Sequence, residues 1–245
     1  MIARGILTVT RKNIRIYYAK PPVVIFGLLF PAFLFLAFFL GREVEAGLFF
    51  PGFLAMTLFF TASSVGPLIT PWEKQARTYE RLLSYPVTLE TIIVGDVLAG
   101  AIFGFSITAI VAVVGAAALP LTIAHPLLTL LGLFLGTVCF AAMGVLLASP
   151  AAQSPSNIMM LASLVRFPLI FISGIFIPLG ELEGIGRLLA LASPLTYLVD
   201  LLAAALHGTS PLSAGVDIVV LAMVTLLFLF ASRVIHRRNM AKGLP

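Results

Sequence analysis

Charge is what this chain has least of. Only 10% of its 245 residues are charged, where a soluble domain carries roughly 25%. That scarcity excludes one large soluble core. With 60% hydrophobic residues and a mean hydropathy of +1.13, it points to a polytopic membrane protein. Cysteine is nearly absent as well. Cys139 stands alone in an apolar run, which excludes an intrachain disulfide and a cysteine-based metal site and leaves a small apolar packing residue. There is no G-x-x-x-x-G-K-S/T phosphate loop, so the chain is not expected to hydrolyse nucleotide itself. There is no H-E-x-x-H or G-x-S-x-G either, and His125, His207 and His236 are too far apart for metal-ligand spacing. The histidines read instead as caps of outer turns (His125, His207) and part of a basic tail (His236). No catalytic, cofactor-binding or metal-ligating residue is expected.

What is present is apolar and helical in length. Ile2 to Tyr18 reads as an amphipathic helix lying in the membrane interface. Arg4, Arg11, Lys12 and Arg15 fall on one face, and Ile2, Ile6, Val9, Ile14, Ile16 and Tyr17 on the other. Pro21-Pro22 breaks it. Six spans are expected: Val23–Leu40, then about Gly47–Thr70, Leu89–Leu119, Leu127–Ala148, Ile158–Gly180 and Leu212–Ser232. The first is too long for a cleaved leader, and Gly41-Arg42-Glu43 is no small-residue cleavage site. Leu119-Pro120 and His125-Pro126 bracket one turn, and Ser149-Pro150 to Ser156-Asn157 forms another.

The positive-inside rule tests this topology. Both termini inside places twelve basic residues on that side: Arg4, Arg11, Lys12, Arg15, Lys20, Lys74, Arg77, Arg81, Arg233, Arg237, Arg238 and Lys242. Arg42 and Arg187 fall outside with the acids Glu43, Glu45, Glu181 and Glu183, and Arg166 lies within a span. The net charge of +5 thus orients the chain in a membrane, and nucleic acid is not an expected partner. Leu188 to Leu206 could pass for a seventh span. Pro194 and Asp200 interrupt it, though, and an intramembrane Asp costs roughly 2.5–3.5 kcal/mol. A hairpin entering the outer leaflet, kinked at Ser193-Pro194, fits better. The fold expected is therefore one all-α membrane domain over residues 1–245, with an interfacial helix (1–20), six spans and an outer re-entrant hairpin (180–207).

One stretch breaks the apolar pattern. Between Trp72 and Thr91 lie Glu73, Lys74, Arg77, Glu80, Arg81 and Glu90, whereas the 69 residues from Val97 to Val165 carry no charge at all. Trp72, Ala76, Tyr79 and Leu83 are spaced as one helical stripe joined by Leu82, with Glu73 and Arg77 as an i,i+4 pair. Pro86 ends the segment, and Thr88 can cap the next span with Glu90 in its first turn. The result is a short amphipathic helix over 72–85 on the cytoplasmic side, a docking element rigidly joined to two spans. A solvated, orienting loop is the other reading. Arg166 is the single charge expected at depth. It reads either as a pore-facing cation or as an arginine reaching the interface, paired with Asp96.

Residues 73–88, EKQARTYERLLSYPVT, resemble the E-R-E-R-G-T-L-E-x-L-L-x-x-P-V-S segment of type-2 ABC exporter permeases. Residues 171–179, FISGIFIPL, and 193–200, SPLTYLVD, are similar to that family's F-x-S-G-x-F-x-P and N-P-L-T-Y-x-V-D patterns. The chain departs from these patterns at Ala76, at Arg77 in place of glycine, at Ser193 in place of asparagine, and near Ala203, where an arginine is often seen. The resemblance implies a membrane subunit of an ATP-driven exporter in a prokaryotic plasma membrane. Two permease copies would form the path, and two separate ATPase subunits would carry ATP and magnesium. Glu73, Arg77, Tyr79, Glu80, Leu82 and Leu83 would form the ATPase-docking coupling helix. Ser173, Gly174, Pro178, Pro194 and Asp200 would belong to the outer gate. The alternatives are a transporter driven without ATP and a membrane anchor of a larger complex.

Overall fold

The computed structural model describes residues 2–39, 46–84, 87–118, 123–149 and 154–241. The expectations placed on Arg42, Glu43, Glu45, Pro86, Pro120, Pro150 and Lys242 lie outside the described residues, as do the side chains of Glu80 and Leu83. Among the described residues the chain is helical, with no strand. The helices are α1 (Ile2–Asn13, continued by a π-helical turn, Ile14–Tyr18), α2 (Pro21–Phe39), α3 (Ala46–Ser63), α4 (Gly66–Gln75) and α5 (Tyr79–Leu83). They are followed by α6 (Leu89–Ala118), α7 (Pro126–Leu147), α8 (Pro155–Ile172), α9 (Gly184–Leu191), α10 (Pro194–His207) and α11 (Ala214–Ala241).

Five stretches are long and apolar enough to cross a membrane: Gly47–Gln75, Leu89–Ala117, Pro126–Leu147, Pro155–Ile172 and Ala214–Asn239. Two bent pairs raise the number to as many as seven. Ile2–Tyr18 meets Val23–Phe33 at 86°, and Gly184–Leu191 meets Pro194–His207 at 90°. The second bend falls at Ser193-Pro194, where the sequence places it. Ser193 Oγ accepts a hydrogen bond from Leu195 N–H (3.3 Å), Pro194 opens the new helix, and Gly208 closes it at φ 78°.

Helices α3, α6 and α7 form the centre, and α10 packs against α3, α7 and α11. The core is built from Leu54, Leu58, Phe59, Phe140, Leu198 and Leu201, all fully buried. Phe59 and Phe140 meet edge to face at 4.8 Å. Close approach depends on small residues, as between helices in lipid generally. A Cβ on Gly104 would stand 2.7 Å from Ala62 Cβ, and one on Gly95 would stand 2.7 Å from Val9 Cβ. The second contact seats α1 on α6. By contrast, α8 is buried over 22% of its apolar window and α11 over 11%. Their outward faces are therefore free to meet lipid or another chain.

Two spans differ clearly from their expected form. The span expected over Ile158–Gly180 runs as α8 from Pro155, so Ser156 and Asn157 are helical rather than part of a turn, and it stops at Ile172, before the turn at Gly174. The apolar run from Gly47 does not stop at Thr70 but continues to Gln75, broken at Ser64-Val65 between α3 and α4. Pro67 is the cause. It has no N–H to offer the Ser63 carbonyl four residues back, so the helical ladder opens there.

Candidate functional site

Basic residues gather at one end of the bundle, and there α1, α4 and α6 are joined by polar contacts. Lys12 pairs with Glu73, whose side chain is buried. Asn13 Nδ2 donates to Asp96 Oδ1 at 2.5 Å, and Thr10 Oγ1 donates to the Gly95 carbonyl at 3.1 Å. Tyr17 stacks on Trp72 with centroids 5.6 Å apart. The buried side of α1 is thus not apolar alone: Val9, Thr10, Asn13 and Tyr18 face inward, while Arg4, Arg11 and Arg15 stay exposed.

From this base the chain turns a corner rather than continuing as the single helix expected over 72–85. Helix α4 ends at Gln75, Thr78 N–H closes back on the Glu73 carbonyl at 2.8 Å, and α5 restarts at Tyr79. The corner is made by Arg77, the one described non-glycine residue with positive φ (54°). That conformation suits glycine, the residue of the pattern this segment resembles. The break undoes the expected Glu73–Arg77 pair, because Glu73 turns inward to Lys12 and Arg77 outward. It also undoes the single apolar stripe. Tyr79 is buried beneath Lys74, whose Nζ lies 5.7 Å from its ring centroid. Burial first, and then the negative charges of Asp96 and Glu73, push the Tyr79 phenol up to about 12, so it stays neutral. Gln75, Ala76, Arg77, Thr78, Arg81 and Ser84 are exposed, and Leu82 is half-buried. The corner therefore presents the exposed side chains of Arg77 and Arg81 on a base tied to two helices.

The C-terminal end of α11 reaches the same end of the molecule. Glu90 in the first turn of α6 accepts from Arg233 Nε at 3.1 Å and from Arg237 Nη2 at 2.5 Å. His236 is not part of a solvated tail. It is buried, with Nδ1 2.9 Å from Ser149 Oγ, and Asn239 Nδ2 donates to the Ser149 carbonyl at 2.6 Å.

Arg166 and Asp96 do not pair. Asp96 is taken by Asn13. Arg166 Nη2 donates to the Ser63 carbonyl, the group that Pro67 leaves without a partner. Arg166 also lines a cavity of about 540 Å³ between α2, the α3–α4 break and α8.

At the opposite end, Ser173, Gly174, Pro178 and Asp200 share a second cavity, of about 210 Å³. Gly174 turns the chain after α8 at φ 77°. Asp200 Oδ2 accepts from Leu212 N–H at 3.1 Å, tying α10 to the lead-in of α11. Pro194 is buried at the start of α10 and lies away from that cavity. His125, at the start of α7, donates its backbone N–H to the Ala205 carbonyl at 2.8 Å. The expectation of a single buried charge does not hold. Glu73, Asp96, Arg166, Asp200 and Asp217 are all buried, and Asp217 is fully so. Asp217 sits in the last apolar run, where its lone carboxylate was the available signal.

The site residues thus come together as two groups at opposite ends of the bundle, with Arg166 between. No curated protein gives a significant match to the sequence. The model of the ABC-2 type transporter family matches residues 4–207, from α1 through α10. That stretch holds the N-terminal helix, the charged corner and the bent α9–α10 pair. The chain therefore belongs to the ABC-2 type transporter family, as a membrane-spanning permease component.

Proposed function

We propose that this permease is the membrane subunit of an ATP-driven exporter, working as a dimer with two copies of a separate ATPase. The observation that carries this reading is the Gln75–Ser84 corner. It carries exposed Arg77 and Arg81 at its surface, while its base is tied to α1 through Lys12–Glu73 and continues directly from α4. A partner that moved this corner would move α1, α3–α4 and α6 together.

In this reading the basic end faces the cytoplasm, following the positive-inside rule. Helix α2 serves as the first of six spans, both termini are cytoplasmic, and α9–α10 is a re-entrant outer hairpin. The exposed apolar face of α8 that carries Leu164 and Phe171 suits contact with the second copy. The outer gate is the cavity around Ser173, Gly174, Pro178 and Asp200.

The test is purification of the tagged full chain from its own host membrane. The expected result is a co-purifying subunit with vanadate-sensitive ATP hydrolysis, lost when Arg77 and Arg81 are both changed to Glu and retained when Arg4 is changed to Glu. Hydrolysis that survives the Arg77/Arg81 reversal would remove the corner from the docking role.

A further inference from the structure

We infer that the Arg166 cavity binds a lipid-borne amphiphile with one acidic head group, and that the Arg166 guanidinium holds that group. The cavity lies between α2, the α3–α4 break and α8. Its walls include Phe60, Leu68, Trp72, Met159 and Phe167. They are aromatic and aliphatic, which suits a hydrocarbon body.

Two serines, Ser64 and Ser163, also line the cavity, and Arg166 is the one charged residue among the described residues on its walls. Its side chain is 6% exposed. One nitrogen, Nη2, is used by the Ser63 carbonyl, and Nε is buried with no acceptor. Among the described residues no carboxylate lies within ion-pair distance of it. A guanidinium is always charged, and burying that charge at membrane depth without an anion is unfavourable. The Ser63 carbonyl explains why an arginine can rest here. It does not neutralise the charge, and it occupies one donor of five. A carboxylate or phosphate monoester entering the cavity would supply both the counter-charge and the second acceptor, in the fork geometry that arginine favours. The exposed apolar residues Leu29 and Phe33 of α2 place the bilayer next to the cavity, so the occupant reaches it from lipid. That this occupant is the exporter's cargo rests on the export reading; the binding site itself does not.

Trp72, the only tryptophan in the chain, lines the cavity and reports on it directly. The experiment uses the full chain in phosphatidylcholine nanodiscs, at a pH that ionises the probe. Trp72 fluorescence is quenched by a dibrominated stearic acid and, separately, by its uncharged methyl ester. The acid is expected to reach half-quenching at a mole fraction on the order of tenfold lower than the ester. Arg166→Gln should erase that difference, and Arg166→Lys should keep most of it. Equal quenching by acid and ester in the wild type, or an advantage for the acid that survives Arg166→Gln, overturns the proposal. If Arg166→Gln does not fold, Ser163→Phe replaces it. That variant fills the cavity beside an intact guanidinium, and it should lose the advantage of the acid; keeping the advantage overturns the proposal. The readout needs no ATPase, so its failure leaves the docking corner untouched, and failure of the docking test leaves this site untouched.

Discussion

Arg77 shows how one residue can shape the surface next to it. At φ 54° it occupies a conformation that glycine adopts freely and a β-branched residue adopts at a cost of about 1–3 kcal/mol. Arg77→Gly is expected to raise the thermal unfolding midpoint in detergent, and Arg77→Val to lower it. A second residue-scale prediction concerns Tyr79. Its folded-state pKa, about 12, lies above the ordinary value of 10.0. The folded state therefore holds the phenolic proton where the unfolded state releases it, and stability falls as pH rises through that window. Relative to Tyr79→Phe, the wild type should lose stability between these two values, and the two proteins should respond alike below them. Opposite pH trends in chemical unfolding would contradict the burial of this ring. Neither feature is legible in the sequence. The spacing of Trp72, Ala76, Tyr79 and Leu83 is helical, and a helix is what it predicts. The left-handed turn at Arg77 breaks that period, and only the glycine of the similar pattern hints at it.

At the scale of elements, the docking of α1 on α6 decides how the corner is held. Gly95 leaves room for Val9, so Gly95→Ala should destabilise the chain by about 1–3 kcal/mol, and adding Val9→Ala should recover part of the loss. Lys12→Met leaves the buried Glu73 carboxylate without its partner. The expected loss is about 2 kcal/mol, below the value for a fully dry pair because Lys12 keeps some solvent. Lys12→Met combined with Glu73→Gln should be milder than Lys12→Met alone, measured by the same unfolding assay. These pairings join residues far apart in the sequence, 61 positions in the case of Lys12 and Glu73. A single chain read along its length carries no trace of them. Local signals fared better. The bend at Ser193-Pro194 and the Thr88 cap, whose Oγ1 accepts from Thr91 N–H at 3.3 Å, are both set by residues within a few positions. The α3–α4 break had its local signal too, in Pro67, but the surrounding apolar run concealed it.

The whole molecule is a set of apolar helices around α3, α6 and α7, with the charged corner at one end and the bent α9–α10 pair toward the other. Long apolar runs made the helices readable, since a bilayer demands length and internally satisfied backbone. They concealed the polar groups that face inward, Asp217 above all. Six spans with both termini inside is testable on a simple background, because Cys139 is the lone cysteine and is buried. Thr209→Cys should react with an impermeant maleimide in intact cells, and Arg238→Cys only after permeabilisation. Reversed or equal labelling would require another topology. In the proposed exporter, two copies carry their Arg77–Arg81 corners on ATPase subunits and move them with the nucleotide. Spin labels at Arg81→Cys, read by pulsed dipolar spectroscopy on the isolated complex in nanodiscs, measure this most directly. One copy-to-copy distance should change when ATP is trapped with vanadate; no such distance, or one indifferent to nucleotide, would rule out nucleotide-driven movement of paired corners.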